Sequence, residues 1–323
     1  MRMSRRHALA ALATPLLARS ARAGAAWPAG PVRVVVPFPA GGPTDVVARV
    51  VCQSMSDALR QPFVIENRGG AGGIIGADQV AKAAPDGQAL LINVSAHVIN
   101  PSLYARLPHD PLKDFTPVTG VASTPIQLIV SADLPVTTVA ELVAFVRARP
   151  ASCSFASSST GTPGHLAGEL FKIGAGLDAQ HISYRGSAPA LTDVVSGRVT
   201  YMFDSMPSSL PLVQAGKLRA IGVTGTERVR NLPGVPTMVE SGFPDMTLTT
   251  WYGLWAPANL PPAMASRIQA ETATALKRPE VRQRLSEVSA EGMSEPPERF
   301  SAFCQSEADR YARIIQAAGI RME

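Results

Sequence analysis

The feature that most constrains this chain is a repeated junction. A short β-branched run ends in a turn of small residues, and an amphipathic helical pattern follows at once. "VVVPFPAGGPTDVVARVV" (Val34–Val51) is its first instance. Val32–Val36 reads as a buried parallel strand. Val47, Val51, Met55 and Ala58 then recur on one helical face until Pro62 stops the pattern. Phe63–Asn67, the turn "RGGAGGIIG", a helix through Val80–Ala84 and the strand Ala89–Val94 complete a βαβαβ order, which calls for an open parallel sheet.

A second unit of the same design starts near Leu128. Thr138 and Glu141 form a T-x-x-E capping box for a helix through Arg147. Strands are expected at Cys153–Ser157, Gln180–Tyr184, a run ending at Asp204, and Leu218–Thr224. Helices are expected at His165–Ile173, Leu191–Ser196 and Leu210–Ala215. A Pro/Gly-rich stretch, Asn231–Phe243, precedes the aromatic strand Trp251–Pro257, and from Pro262 the pattern is helical to the end.

In an open α/β sheet, ligands bind beyond the carboxyl ends of the strands. Helix N-termini there offer unpaired N–H groups and partial positive charge, and small residues let the backbone come close. The turns Ala40–Asp45, Gly69–Gly73, Ser95–His97, Ser157–Gly164, Arg185–Pro189 and Asp204–Ser208 all sit at such ends, so two facing rims would make a cleft of neutral donors. His97 and Asp204 are the titratable residues at these ends that could touch a ligand. His165 reads as a packing or capping residue, and Asp45 could equally cap its helix.

Several function classes drop out. No G-x-G-x-x-G is complete, since Ile75 stands where the third glycine after Gly70 and Gly72 belongs, and no P-loop motif occurs. No G-x-S-x-G elbow occurs either. The net charge of +5 resides in Arg2, Arg5, Arg6, Arg19 and Arg22; without them 25 basic residues face 25 acidic ones, so no basic footprint for nucleic acid exists. That N-terminus reads as an export signal over residues 1–23, with "MRMSRR", an apolar stretch and the small-residue cut site "ARA". Ser4-Arg5-Arg6 leaves the twin-arginine and general secretory routes both open. Cys52, Cys153 and Cys304 read as small buried hydrophobes, and no Cys or His cluster at metal spacing is visible.

The long blocks resemble, in order, the Bug family, the periplasmic solute-binding proteins of tripartite tricarboxylate transporters. They are "VPFPAGGPTDVVARVV", "ENRGGAGGIIGADQVAKAAPDG", Ile99–Thr119, His165–Phe171, Tyr184–Asp204, Ala215–Thr224 and "LPGVPTMVESGFP". The resemblance implies two Rossmann-like α/β domains in a periplasmic-binding-protein (flytrap) arrangement with a central ligand cleft. Residues 24–127 with 252–323 would form one domain and 128–251 the other. It implies a carboxylate ligand held by backbone amides and waters, delivery to membrane permease subunits, no cofactor, no reaction and a monomer. The implied ligand-facing residues are Phe38, Ala40, Gly41, Gly42, Thr44, Asp45, Ser95 and His97. From the other domain they are Ser158, Thr160, Gly161, Gly186, Ser187, Ala188 and Asp204. His97 departs from the family's small or hydroxyl residues, so selectivity is its expected role. A ligand-loaded sensor and an exported enzyme are the alternative readings.

Overall fold

The structure is a computed structural model that describes residues 27–149 and 152–320. The expected export signal lies outside the described residues. In the first unit the order is β1 (Val32–Val36), α1 (Pro43–Leu59), β2 (Phe63–Asn67), α2 (Ile74–Ala81), β3 (Ala89–Val94) and the short α3 (Ala96–Ile99). A 17-residue strand, β4 (Phe115–Ser131), leads to α4 (Val139–Arg147), β5 (Ser154–Ser157), α5 (Pro163–Ala175) and β6 (Gln180–Ser183). Then come α6 (Ser187–Val195), β7 (Tyr201–Ser205), α7 (Met206–Gln214), β8 (Leu218–Val223) and β9 (Thr249–Pro257). The chain ends with α8 (Pro262–Lys277), α9 (Pro279–Glu287), the two-residue β10 (Glu291–Gly292) and α10 (Pro297–Ala318).

β4 divides the molecule. Strand order runs β2-β1-β3-β9-β4-β7-β5-β6. β1, β2 and β3 are parallel, as are β5, β6 and β7. From Phe115 to Pro125, β4 pairs antiparallel with β9; from Ile126 onward it pairs with β7 and β8. One strand therefore belongs to both α/β lobes, and the 224–248 segment carries the chain back. The two crossings are tied together. The Thr224 hydroxyl donates to the Leu248 carbonyl and accepts the Ile126 N–H at 3.0 Å, and Thr224 N–H donates to Ile126 O at 2.8 Å.

Local chemistry explains the elements. α4 opens with the expected capping box, Thr138 and Glu141 exchanging hydrogen bonds at both ends. α1 buries Val47, Val51 and Met55 against the first lobe, each contributing about 1.5–3 kcal/mol. Ala58, expected on the same face, is exposed; in the last turn it is Leu59 that packs against the core. Of the C-terminal helices, α8 and α9 meet α1, while α10 meets α3, β4 and also α5 of the second lobe. All three cysteines are buried and free. Among the described residues no helix is long and apolar enough to cross a membrane.

Candidate ligand-binding cleft

Four helices aim their N-termini at one cavity between the lobes. Gly42, Pro43 and Thr44 open α1; Thr162, Pro163 and Gly164 open α5; Gly186 and Ser187 open α6; Ser205 precedes α7. Each N-terminus leaves backbone N–H groups without intrahelical partners and carries roughly half a positive charge. None of the four starts is capped by its own N-cap side chain, so the amides stay available. Phe38, Pro39, Val94 and Phe203 supply an apolar wall, and Ser158 completes the lining. No lining residue is Lys, Arg or His.

The close approach of these helices depends on particular residues. Pro at the first helical position of α1 and α5 lacks the N–H that would have no partner there, and it presets the helical φ. Gly164 lies so close to the Phe203 carbonyl that any Cβ would collide with it, which seats the α5 terminus on β7.

Asp204 is the one ionisable side chain in the lining. Burial raises its carboxyl above the ordinary range, and hydrogen bonds from Ser208, Ser187 and Ser209 offset part of that. Ser187 Oγ donates to Oδ1 at 2.8 Å, and Ser208 Oγ donates to Oδ2. A cleft with four positive helix ends and one acid that is reluctant to ionise favours an anion.

The lobes touch at the rim. A Cβ on Gly186 would lie 2.9 Å from Pro39 Cγ, and one on Gly72 would lie 3.0 Å from the Thr160 carbonyl oxygen. Asn100 Nδ2 donates to Gly72 O at 3.2 Å, and the same side chain stands against Gly161 of the other lobe.

Seven of the expected residues line the cavity: Phe38, Gly42, Thr44, Ser158, Gly186, Ser187 and Asp204. Ala40 and Gly41 are exposed in their loop and Ala188 is exposed on α6, and none of the three lines the cavity. Asp45 turns behind the loop: it accepts from Gly41 N–H at 2.9 Å, Arg49 Nε at 2.8 Å and Asn67 Nδ2 at 3.0 Å. Burial alone would raise its carboxyl, but those three partners hold it below the usual value. Thr160 is pinned by Ser183, its N–H and hydroxyl reaching Ser183 Oγ at 3.0 and 2.9 Å. Gly161 donates to His165 Nδ1 at 3.3 Å.

Ser95 and His97 are buried beneath the first lobe's rim. His97 packs edge-on to Phe115 and tilted to Trp255, both at 4.6 Å between ring centres. Burial, then the neighbouring His109, push its pKa down to about 3, so the ring is neutral. His165 and His181 are neutral for the same primary reason, burial, which places them at about 3 and about 4.

Sequence reasoning omitted Pro39, Pro43, Val94, Thr162, Pro163, Gly164, Phe203 and Ser205 from the ligand-facing set, although all of them line the cavity. Two signals could have found part of this group. Pro43 and Pro163 each follow a strand–turn and mark a first helical position, and Thr162, Gly164 and Ser205 lie inside the turns already singled out.

Comparison with known proteins gives a consistent neighbourhood. A family model described as "Tripartite tricarboxylate transporter family receptor" matches residues 47–320. Protein BugT of Bordetella pertussis is 34% identical over 299 residues, covering 92% of each chain. A Rhodopseudomonas palustris protein solved with adipate is 36% identical, with a TM-score of 0.89 over 92% of this chain and 100% of that one. MatC from the same organism, solved with bound malate, is 32% identical, with a TM-score of 0.85 over 90% of this chain and 100% of that one.

Proposed function

The chain belongs to the tripartite tricarboxylate transporter receptor family, and from that premise we propose that it captures a small dicarboxylate between its lobes and hands it to a membrane permease. The observation that carries this reading is the convergence of four helix N-termini on a cavity without a cationic side chain. Backbone amides and helix dipoles would hold two carboxylates, and Phe38, Val94 and Phe203 would cover the carbon chain between them. Adipate and malate, bound by two relatives, are ligands of this shape. A site of fixed dipoles without a bidentate Arg clamp suits a ligand that must later be released.

In this reading residues 24–127 and 252–323 form one lobe, 128–251 the other, and ligand contacts in the closed state bias a hinge at the paired crossings. Export by the signal at residues 1–23 would place the protein in the periplasm as a monomer. Permease subunits would be its partners, and no bond of the ligand would change. The test is calorimetry of residues 24–323 against mono-, di- and tricarboxylates, with matched diamides as neutral controls. The reading expects saturable binding of a dicarboxylate, no binding of its diamide, and recovery of the ligand unchanged. Binding of the diamide with equal affinity, or chemical turnover of the acid, would overturn it.

A further inference from the structure

Behind the cleft loop of the second lobe, three side chains of metal-ligand type meet. His165 and Glu169 stand one turn apart on α5, and His181 stands on the neighbouring β6. One donor atom from each lies within 4.8 Å of the others. His165 Nε2 is 4.0 Å from Glu169 Oε1, and the two imidazole rings are 4.3 Å apart between centres. None of the three lines the cavity between the lobes, so the ligand-binding reading does not account for them. Short sequence spacing does not announce them, because the strand ligand comes from a different element.

We propose that His165, Glu169 and His181 form a binding site for a divalent transition ion of the Zn²⁺ class, with water completing the coordination. Two neutral imidazoles and one carboxylate are the donor set that zinc accepts in three-ligand sites, whereas Ca²⁺ and Mg²⁺ require mostly oxygen. An i, i+4 pair on one helix face presents two donors toward the same point. The Ser157 hydroxyl, 2.7 Å from His181 Nε2, fixes the orientation of that ring.

Two features set the affinity. Zinc–ligand bonds of about 2.0–2.2 Å bring donor atoms to roughly 3.3–3.6 Å from one another, so the group closes by about 1 Å when it binds. Lys172 Nζ sits 2.9 Å from Glu169 Oε2, leaving Oε1 toward the histidines but opposing a second cation. Binding also changes the His165 tautomer. Nδ1 now accepts the Gly161 N–H at 3.3 Å; coordination at Nε2 moves the ring proton to Nδ1, and the Gly161 amide loses its acceptor.

The test uses tag-free protein, residues 24–323, titrated with ZnCl₂ and, as control, MgCl₂, and then with Co²⁺ for its visible spectrum. The proposal expects one saturable Zn²⁺ equivalent, no Mg²⁺ binding, and the intense visible bands of four-coordinate Co²⁺. Glu169→Gln keeps the side chain's shape and should weaken Zn²⁺ by at least about tenfold, since even outer-shell changes cost 10–100-fold. Lys172→Met should tighten it. Melting curves establish that both variants are folded. Absence of one-to-one Zn²⁺ binding, or binding that neither substitution moves, overturns the proposal. No carboxylate is needed, so its failure is separate from failure of the transport reading.

Discussion

Substitution of Gly72 by Ala isolates closure of the cleft from stability of the lobes. Gly72 has φ +62°, and a Cβ there would meet the Thr160 carbonyl of the opposite lobe at 3.0 Å. The left-handed backbone costs an Ala about 1–2 kcal/mol whether the lobes are open or closed. The same carbon would also lie 3.3 Å from the Tyr104 hydroxyl of its own lobe, a side-chain end that can swing aside; the contact with Thr160 exists only when the lobes meet, and a backbone oxygen cannot give way so easily. Overpacking of this kind costs about 1–3 kcal/mol, which corresponds to about a 5- to 150-fold loss of ligand affinity. Gly176→Ala is the control: φ is +59° with nothing within 4 Å of the added carbon, at the C-cap of α5. Calorimetry with the tightest dicarboxylate and apo melting curves would be run on both. Both variants should lose similar apo stability, and only Gly72→Ala should lose affinity. Equal affinity in the two variants would refute the claim that this rim closes on the ligand.

Four further outcomes are expected. Thr224→Val leaves the buried Ile126 N–H and Leu248 carbonyl without their shared partner, costing about 1–3 kcal/mol in chemical denaturation. His97→Ala opens a cavity among Phe115 and Trp255, costing about 2–4 kcal/mol while leaving the order of ligand preference unchanged; a changed order would support the expected selectivity role of His97. Asp204, whose carboxyl is raised by burial, should take up a proton more readily when a carboxylate binds beside it. Affinity should therefore rise as pH falls from neutral toward the ordinary carboxylate range, and calorimetry of Asp204→Asn should show a flatter profile. Asp45 has a folded pKa below the ordinary aspartate value of 3.8, so the stability it contributes is present above that value and lost as pH falls through the folded pKa; acid titration of Asp45→Asn should lack that part of the acid limb.

Much of the fold was legible because strand, turn and helix alternate with short connections. The sharp T-x-x-E signal gave α4 its start at Thr138. β4 was not legible as one strand. Pro117, Gly120 and Pro125 break its alternation, and the register shifts around Pro117–Thr119 and Gly120–Ala122 absorb those breaks. The strand is held by partners far along the chain, from Tyr201 opposite Val130 to Pro257 opposite Phe115, which no local window contains. β10 is only two residues long and exists through its pairing with β4.

The candidate site was legible as turns more than as side chains. A turn can be placed on the ligand-facing rim from its position after a strand. The facing of one side chain depends on rotation about a helix start, about 100° per residue, and on which neighbours are cationic. Thr44 faces the cavity and Asp45 faces Arg49 and Asn67, one residue apart. His97 follows the end of β3 by only a few residues, yet the aromatic groups of Phe115 and Trp255 draw it inward.

The central claim is that the amides of converging helix N-termini hold a carboxylate. Amide-resolved NMR of isotope-labelled protein, titrated with the tightest dicarboxylate, tests it most directly. The account predicts saturating shifts at Thr44, Gly164 and Ser187, the amides at the starts of α1, α5 and α6. Saturable binding that leaves these amides unmoved would contradict it.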